Sequence, residues 1–170
     1  QLVPYIYKLS KGAQRASRGF LVVKGVLGGE DVAIIVCHLP SRGAESYYRE
    51  EGGRQVREVK ERLQKENPNI KILIMGDMND DPHNDSTAKN LGARRKMADA
   101  TEGQMYNPWW QILLDGHGTL SYQGAWNLFD QIVMTPNCLD VQGKKEYKTL
   151  TFYEAKIQSF PYLLHDQIGR

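Results

Sequence analysis

Cysteine is scarce in this chain, which has two among 170 residues, Cys37 and Cys138. The two lie far apart in sequence and fit neither a Cys-x-x-Cys metal pattern nor a dense disulfide framework. Cys37 falls within an apolar segment, where a free cysteine behaves as a small core residue. The sequence therefore gives no indication of a disulfide-stapled fold, and the redox state of both thiols stays open.

Long apolar runs and a strong net charge are also missing. A content of 41% hydrophobic and 25% charged residues, with a mean hydropathy of -0.54, excludes a membrane span. The net charge of +2 is too modest to indicate nucleic-acid binding by itself. The compartment stays open, with a secreted or periplasmic location among the alternatives.

One basic cluster departs from this balance, because Lys89, Arg94, Arg95 and Lys96 fall within eight positions. These side chains could contact a phosphate backbone, where each neutralised phosphate adds a salt-dependent increment of affinity. The alternative is a solvated loop, which is the usual state of a short charge run. A salt dependence of binding that is unchanged after neutralising Arg94 and Arg95 would favour the loop.

The apolar segments predict one α/β domain. Residues 19–26 and 32–39 are predicted to be antiparallel strands joined by a Gly-rich hairpin turn. A helix over 54–66 carries Val56, Val59 and Leu63 on one stripe, and residues 70–75 return as a buried strand. Between 80 and 126 the signals are weak, and this segment is expected to help wall a cleft. Its Tyr106 and Trp109 could stack on a base or sugar, although Trp normally anchors a core.

Polar residues follow the last of these strands, in the sequence Gly-Asp-Met-Asn-Asp at 76–80. The carboxyl ends of buried strands are where α/β folds build their sites. If the extended geometry continues past Gly76, Asp77 and Asn79 share a face and project into one cleft. A turn or a helix cap is the alternative for these residues.

A second polar group ends the apolar run over 31–42, where His38, Ser41 and Arg42 follow the strand. Strand alternation predicts that His38 continues a core face and emerges at its rim. The guanidinium of Arg42 is a planar, permanently charged donor array that fits phosphate or carboxylate recognition. We expect the two residues to face a phosphate, with a structural, hydrogen-bonded His38 as the alternative.

Asp130 is predicted to lie in the middle of a third apolar strand, on one face with Leu128 and Ile132. A carboxylate buried there without partners would cost several kcal/mol or become protonated. It is therefore expected to have a partner, which is either a cation in a structural salt bridge or a catalytic histidine held in one tautomer.

In this order, His-Leu-Pro-Ser-Arg at 38–42, Gly-Asp-Met-Asn-Asp-Asp-Pro at 76–82 with Asp85-Ser86 following, and Phe-Asp-Gln-Ile-Val at 129–133 resemble the endonuclease/exonuclease/phosphatase superfamily. The resemblance implies an α/β two-sheet sandwich flanked by helices, in four layers. It also implies a phosphoesterase that depends on Mg²⁺ or Mn²⁺, the hard cations that carboxylate, carboxamide and water ligands favour.

Carried over position by position, the resemblance implies that Asp77 is the general base or orients the attacking water. Asn79 would bind the phosphate and, with Asp77, ligate the metal. His38 would stabilise the phosphoryl oxygens, Ser41 and Arg42 would bind the substrate phosphate, and Asp130 would orient a second histidine. The terminal His165-Asp166 reverses the order that the family shows, so no catalytic role is transferred to His165.

Two family features have no counterpart in the sequence: an early strand bearing the main metal-binding Glu, which is not predicted before Arg18, and a terminal Ser-Asp-His. The whole fold usually needs roughly 250 or more residues. We therefore interpret residues 1–170 as the central and later portion of a single domain, and the sandwich as incomplete. Exposed apolar faces are then expected to cause self-association or dependence on a completing partner, which a cooperative melt of a monomer would contradict.

The leading functional hypothesis is phosphodiester hydrolysis in nucleic acid. A phosphomonoesterase, or a phosphatase or phosphodiesterase acting on inositol phosphates or lipid headgroups, is the alternative within the same fold. A catalytically silent phosphate-binding module is the alternative of another class, and it would bind phosphate ligands without metal dependence.

Overall fold

A seven-stranded mixed sheet organises the computed structural model of this protein, which describes residues 2–8, 14–141, 143 and 149–160, with backbone alone for 2–8 and 14–16. The elements are β1 (Leu2–Lys8), β2 (Gln14–Leu27), β3 (Glu30–His38), α1 (Ser46–Glu66), β4 (Lys71–Asp77), β5 (Ala93–Arg94), β6 (Met105–Tyr106), α2 (Trp109–Leu114), β7 (Leu120–Tyr122), β8 (Ala125–Asn127) and β9 (Asp130–Met134). The strands of the large sheet lie in the order β1-β2-β3-β4-β9-β6-β5, and β7 pairs with β8 in a separate ribbon.

The predicted hairpin is confirmed, since β2 and β3 pair in antiparallel register from Leu21↔Val36 to Leu27↔Glu30. Its turn uses Gly28 and Gly29 at φ angles of 60° and 83°. Two central residues with positive φ are what a two-residue type I′ turn requires, and glycine adopts them without steric cost. As expected, no Glu-bearing strand precedes Arg18 in the described residues: β1 and the start of β2 come before it, but neither contains a Glu.

Helix α1 connects β3 to β4, which pair in parallel. The predicted stripe is confirmed, with Val56 at 1%, Val59 at 6% and Leu63 at 2% exposure in one core with the sheet. Burial of each such side chain is worth about 1.5–3 kcal/mol. The predicted start at residue 54 is wrong, since α1 begins at Ser46 and runs through Gly52 and Gly53. Glycine is a poor helix former, which hid the first two turns.

The two faces of the sheet differ, and the predicted assignment of the β3 residues to them is wrong. Ala33, Ile35 and Cys37 are buried in the core with α1, whereas Val36 and His38 are exposed on the opposite face. A continuous apolar run carries no alternation that would indicate which face the helix covers. The face opposite α1 is apolar and open, because Leu21, Val23 and Ile132 on it are 46%, 48% and 39% exposed.

The fold class is confirmed as an α/β sandwich that is incomplete over the described residues: one helix layer, one large sheet and a two-stranded ribbon. The weakly patterned segment after residue 80 holds a π-helical turn at Ser86–Leu91, α2 and four very short strands. Within the described part of the chain, no helix has the length and apolar character needed to cross a membrane. His165 and Asp166 lie outside the described residues.

The contact between α1 and the π-helical turn predicts an unusual response to a glycine substitution. A Cβ added at Gly53 would lie 2.1 Å from the carbonyl oxygen of Ser86. Gly53→Ala is therefore expected to lower the free energy of unfolding by about 1–3 kcal/mol through overpacking, although alanine is favoured over glycine by about 1 kcal/mol in an ordinary helix. Urea unfolding measures this difference.

Gly25→Ala is the matched control, because nothing lies within 4 Å of its added Cβ. Its free energy of unfolding should stay within about 1 kcal/mol of the parent or rise. A Gly53→Ala protein as stable as the parent would contradict the close packing of α1 on this turn.

Candidate active site

Three titratable side chains form a row across three neighbouring strands at one edge of the sheet. His38 on β3 is in register with Asp77 on β4, and Asp77 is in register with Asp130 on β9. Residues directly opposite on paired strands point to the same face, so this row lies on the open face, away from α1. The Nε2 atom of His38 is 3.5 Å from Oδ2 of Asp77.

The chain turns sharply at the end of β4. Gly76 has φ 135°, and an added Cβ there would meet the carbonyl oxygen of Cys37 at 1.9 Å, so only glycine fits. Asn79 has φ 50° and is not extended, contrary to the geometry assumed from sequence. Asp77 and Asn79 nevertheless lie together, because the backbone N–H of Asn79 donates to Oδ1 of Asp77 at 2.8 Å. Met78 between them is buried at 1% exposure.

The amide of Asn79 is oriented by the neighbouring strand. Its Nδ2 donates to the carbonyl oxygen of Leu39 at 2.8 Å. Its Oδ1 accepts no hydrogen bond within the described part of the chain. An amide oxygen is therefore presented beside the half-exposed carboxylate of Asp77.

The predicted burial of Asp130 is wrong, because Asp130 is exposed and its neighbour Gln131 is buried at 1% exposure. Asp130 is the first residue of β9 and shares the open face with Ile132, whereas Leu128 is fully buried. The hydroxyl of Thr119 accepts hydrogen bonds from the backbone N–H groups of Phe129 and Asp130, both at 3.2 Å. An exposed carboxylate needs no compensating cation, so the exposure of Asp130 removes the reason for expecting a buried partner.

The guanidinium of Arg42 is engaged with protein acceptors. It donates to the carbonyl oxygen of Asn79, to Oδ1 of Asn127, and through Nη2 to Asp81 at 2.9 Å and Asn84 at 3.2 Å. It also lies 4.4 Å from the ring centroid of Phe129. Arg42 thus ties the loop after β4 to the segment that enters β9, while the side chain of Ser41 is exposed nearby.

A buried ion pair that the sequence did not indicate fixes the same loop to α1. Nε of Arg49 lies 2.9 Å from Oδ1 of Asp80, and both side chains are 6–7% exposed. The Nε–H group of Arg49 makes no hydrogen bond to a described residue, so its contact with Asp80 is an ion pair. Oδ2 of Asp80 accepts from the hydroxyl of Ser86 at 2.7 Å, and its backbone oxygen accepts from the amide of Gln131 at 2.7 Å.

Cys37 lies directly behind this turn and is chemically quiet. Burial, followed by the nearby charge of Asp77, raises the pKa of the Cys37 thiol to about 12. Burial also raises the pKa of the Cys138 thiol. Both cysteines are free and buried, as expected for Cys37, and neither supplies a thiolate nucleophile or ligand near neutral pH.

The other residues singled out from sequence lie away from the row or are engaged. Trp109 is buried and donates from Nε1 to the carbonyl oxygen of Ile132 at 2.9 Å, so it anchors the core. The ring of Tyr106 packs edge-on against Phe152. In the basic cluster, Lys89 pairs with Asp85, Arg94 donates to Gln104, and Arg95 donates to Gln111.

The donor chemistry of the row suits a hard divalent cation in part. No group of three or more His, Cys, Asp or Glu side chains that could hold a metal is found in the described ranges. Mg²⁺, however, is usually bound through one or two carboxylates, with waters and substrate phosphates completing its shell. The carboxylate of Asp77 and the free amide oxygen of Asn79 match that smaller requirement.

The chain belongs to the endonuclease/exonuclease/phosphatase family, whose sequence profile matches residues 5–170. The family, the mixed sheet and the row at its edge together define an α/β phosphoesterase fold. No curated protein matches the chain.

Solved structures with the same fold include truncated Caenorhabditis elegans TDP2, with 16% identity, a TM-score of 0.51, and coverage of 79% of this chain and 51% of that one. Humanized D. rerio TDP2 has 19% identity, a TM-score of 0.44 and coverage of 69% and 45%. The human Nocturnin catalytic domain has 16% identity, a TM-score of 0.46 and coverage of 69% and 40%. The chain therefore spans about half or less of the length of these proteins.

The ion pair beneath the site predicts a large loss of stability when one partner is removed. Arg49→Met would remove the closer cationic partner of the buried Asp80 and leave it Arg42, whose Nε lies 3.5 Å from Oδ1. The free energy of unfolding should therefore fall by about 3 kcal/mol, the lower end of the range for breaking a buried pair. Chemical denaturation followed by circular dichroism measures the loss.

Arg54→Met, on the same helix, is the control, because Arg54 pairs with Glu51 and Glu58 at the surface. Surface ion pairs contribute about 0–1 kcal/mol, so this variant should be nearly as stable as the parent. An equal loss in the free energy of unfolding for the two variants would contradict a special contribution of the buried Arg49 pair to stability.

Proposed function

We propose that this chain carries the catalytic row of a metal-dependent phosphoesterase that hydrolyses phosphodiesters in nucleic acid. The observation that supports it most is the in-register row of His38, Asp77 and Asp130 on the open face of a family phosphoesterase fold. Residues 1–170 would belong to one domain of this enzyme.

In this proposal Asp77 orients and deprotonates the attacking water. Its carboxylate is partly exposed, Oδ1 accepts from the backbone N–H of Asn79, and Oδ2, which lies 3.5 Å from Nε2 of His38, would accept the proton of the water. His38 donates to a phosphoryl oxygen from the adjacent strand, where a positive or polarised imidazole offsets charge that accumulates during in-line attack. Asp130 would orient a second imidazole toward the leaving group, a role that rests on the family resemblance alone.

A divalent cation, Mg²⁺ or Mn²⁺, would be held by Asp77 and Asn79, the two residues with available oxygen atoms at this turn. When bound, it would neutralise charge on the phosphoryl oxygens. The hydrogen bond from Nδ2 of Asn79 to the carbonyl oxygen of Leu39 orients the amide oxygen. Asp77 would still orient the attacking water.

Ser41 and Arg42 serve the substrate phosphate in different ways. The hydroxyl of Ser41 is exposed and can donate to a phosphate oxygen directly. For Arg42 to bind a phosphate, its guanidinium must exchange a contact with Asn84 or Asn127 for the new one. We therefore assign Arg42 first to positioning the Asn79 turn, with phosphate contact as its second role.

The proposal predicts that Asp77→Asn lowers nicking of supercoiled plasmid by about 10²-fold or more, because general-base catalysis contributes about 10²–10⁴. EDTA should abolish the same activity. Asp99→Asn is the control, since Asp99 is an exposed carboxylate on a short 3-10 turn and should leave the rate unchanged.

Other outcomes of this assay separate the alternatives. Release of phosphate from inositol phosphates without nicking would indicate the phosphomonoesterase. Phosphate binding that is independent of metal, with no hydrolysis of either substrate, would indicate a silent module and contradict the proposed enzyme.

A further inference from the structure

A second cavity lies beside the ribbon formed by β7 and β8, and the catalytic row does not use it. Its volume is about 500 Å³, and Trp126, His117 and Lys156 line it together with Ile112 and Gly118. Trp126 is 54% exposed, an unusual state for so large an apolar ring. Its face is therefore available to a ligand.

The backbone connects this cavity to the row. The N–H of Thr119 donates to the carbonyl oxygen of Asn127 at 2.9 Å, and the hydroxyl of Thr119 accepts from Asp130. Gly118 lies so close to Asn127 that a Cβ on Gly118 would meet its carbonyl oxygen at 2.3 Å. One wall of the cavity is thus fastened directly to the strand that carries Asp130.

The cavity also adjoins a cavity on the open face of the sheet, the face that carries the row. Ala155 and Lys156 line both this cavity and a neighbouring one that contains Ile132. Ile132 is two residues from Asp130 on β9 and shares its face. A ligand whose phosphate lies at the row can therefore extend into the cavity without crossing the sheet.

The chemistry of the lining indicates which group would enter. An exposed indole provides a stacking surface, Ile112 provides an apolar wall, and no carboxylate of the described residues lines the cavity. Lys156 pairs with Glu154 at 3.2 Å, but both side chains are more than half exposed, so its ammonium can exchange to a phosphate. His117 adds a second group that can donate.

Two other cavities among the described residues lack this combination. The polar one, near Arg42, is lined by Glu50, Asp80, Asp81 and Asp85, which would repel an anionic ligand. The apolar one behind Ile132 has Trp109 in its wall, but that ring is buried in the core.

We propose that the cavity at Trp126 is a subsite for the nucleobase next to the phosphate that the row attacks, with the base stacked on the indole. Lys156 and His117 would contact the following phosphate. This subsite rests on the proposed function, since it is the phosphate at the row that directs the neighbouring base toward Trp126.

Binding of a short labelled single-stranded oligodeoxyadenylate, measured by fluorescence anisotropy in the Asp77→Asn background, tests the subsite without cleavage. Trp126→Ala should weaken binding by about tenfold or more, since base stacking on an aromatic side chain is sequence-tolerant and strong. Trp126→Phe should restore most of the affinity. An abasic oligonucleotide of the same length should bind the parent and Trp126→Ala equally.

Tyr122→Ala is the matched control, because Tyr122 is exposed on the same ribbon but on the face opposite Trp126, in register with Ala125. Its affinity for the oligodeoxyadenylate should be unchanged. Trp126→Leu, which keeps an apolar side chain without a ring, replaces Trp126→Ala if that variant fails to fold. Unchanged affinity for the oligodeoxyadenylate in Trp126→Ala or Trp126→Leu, or an equal loss of affinity for the abasic oligonucleotide, overturns the subsite.

The plasmid assay separates the failure of the subsite from the failure of the proposed function. Nicking by the parent with the same KM in Trp126→Ala would keep the nuclease and overturn the subsite. Base-dependent binding at Trp126 with no hydrolysis under any metal condition would keep the subsite as a nucleotide-binding site and overturn the enzyme.

Discussion

The register of β3, β4 and β9 is the constraint on which the candidate site depends. Ile35, Ile72, Ile74 and Val133 are all fully buried in the core that α1 covers. Because side chains alternate along a strand, a shift of one residue would carry an entire apolar set to the open face. Burial of these side chains under α1 therefore also fixes which side chains face the open side of the sheet. At the ends of the three strands, those are His38, Asp77 and Asp130.

A second constraint holds the loop that follows Asp77. The Arg49–Asp80 pair joins it to α1, and Arg42 joins it to the entrance of β9. A buried ion pair is weak support for overall stability, because desolvation offsets its attraction. Displacing the loop would separate Asp80 from both Arg49 and Arg42, so the two cations favour the observed position of the loop. The turn at Asn79 directly precedes Asp80, and its carbonyl oxygen accepts from Arg42, so it is positioned together with the loop.

The sequence predicted those parts of the fold that depend on local pattern. The hairpin at Gly28-Gly29, the stripe of α1 and the strand before Gly76 follow from glycine chemistry and apolar spacing. The burial of Asp130 and the face of His38 were predicted wrongly, because a run that is apolar on both faces does not say where the helix packs. The roles of Arg49 and Gln131 were not predicted, because their partner Asp80 is distant in sequence and no local pattern indicates these contacts.

The open face of the large sheet leaves the candidate site accessible, because no second large sheet covers it in the described residues. Leu21, Val23 and Ile132 are exposed beside the row, as expected for a sandwich whose described residues form one main sheet. The row and the adjacent Asn79 present two carboxylates and an amide, donor types that suit a part of a hard-metal shell. Both features agree with a chain that covers 51% of truncated Caenorhabditis elegans TDP2.

The central claim is that the row at the ends of β3, β4 and β9 is where metal and phosphate meet. Titrating Mn²⁺ into the isotope-labelled chain and following the backbone amide resonances tests it most directly, because the ion broadens the signals nearest to it. If the metal binds at the row, the amide signals of His38, Asp77, Asn79 and Asp130 broaden first. Broadening centred on the acidic cavity at Asp81 and Asp85, with the row unaffected, would contradict it.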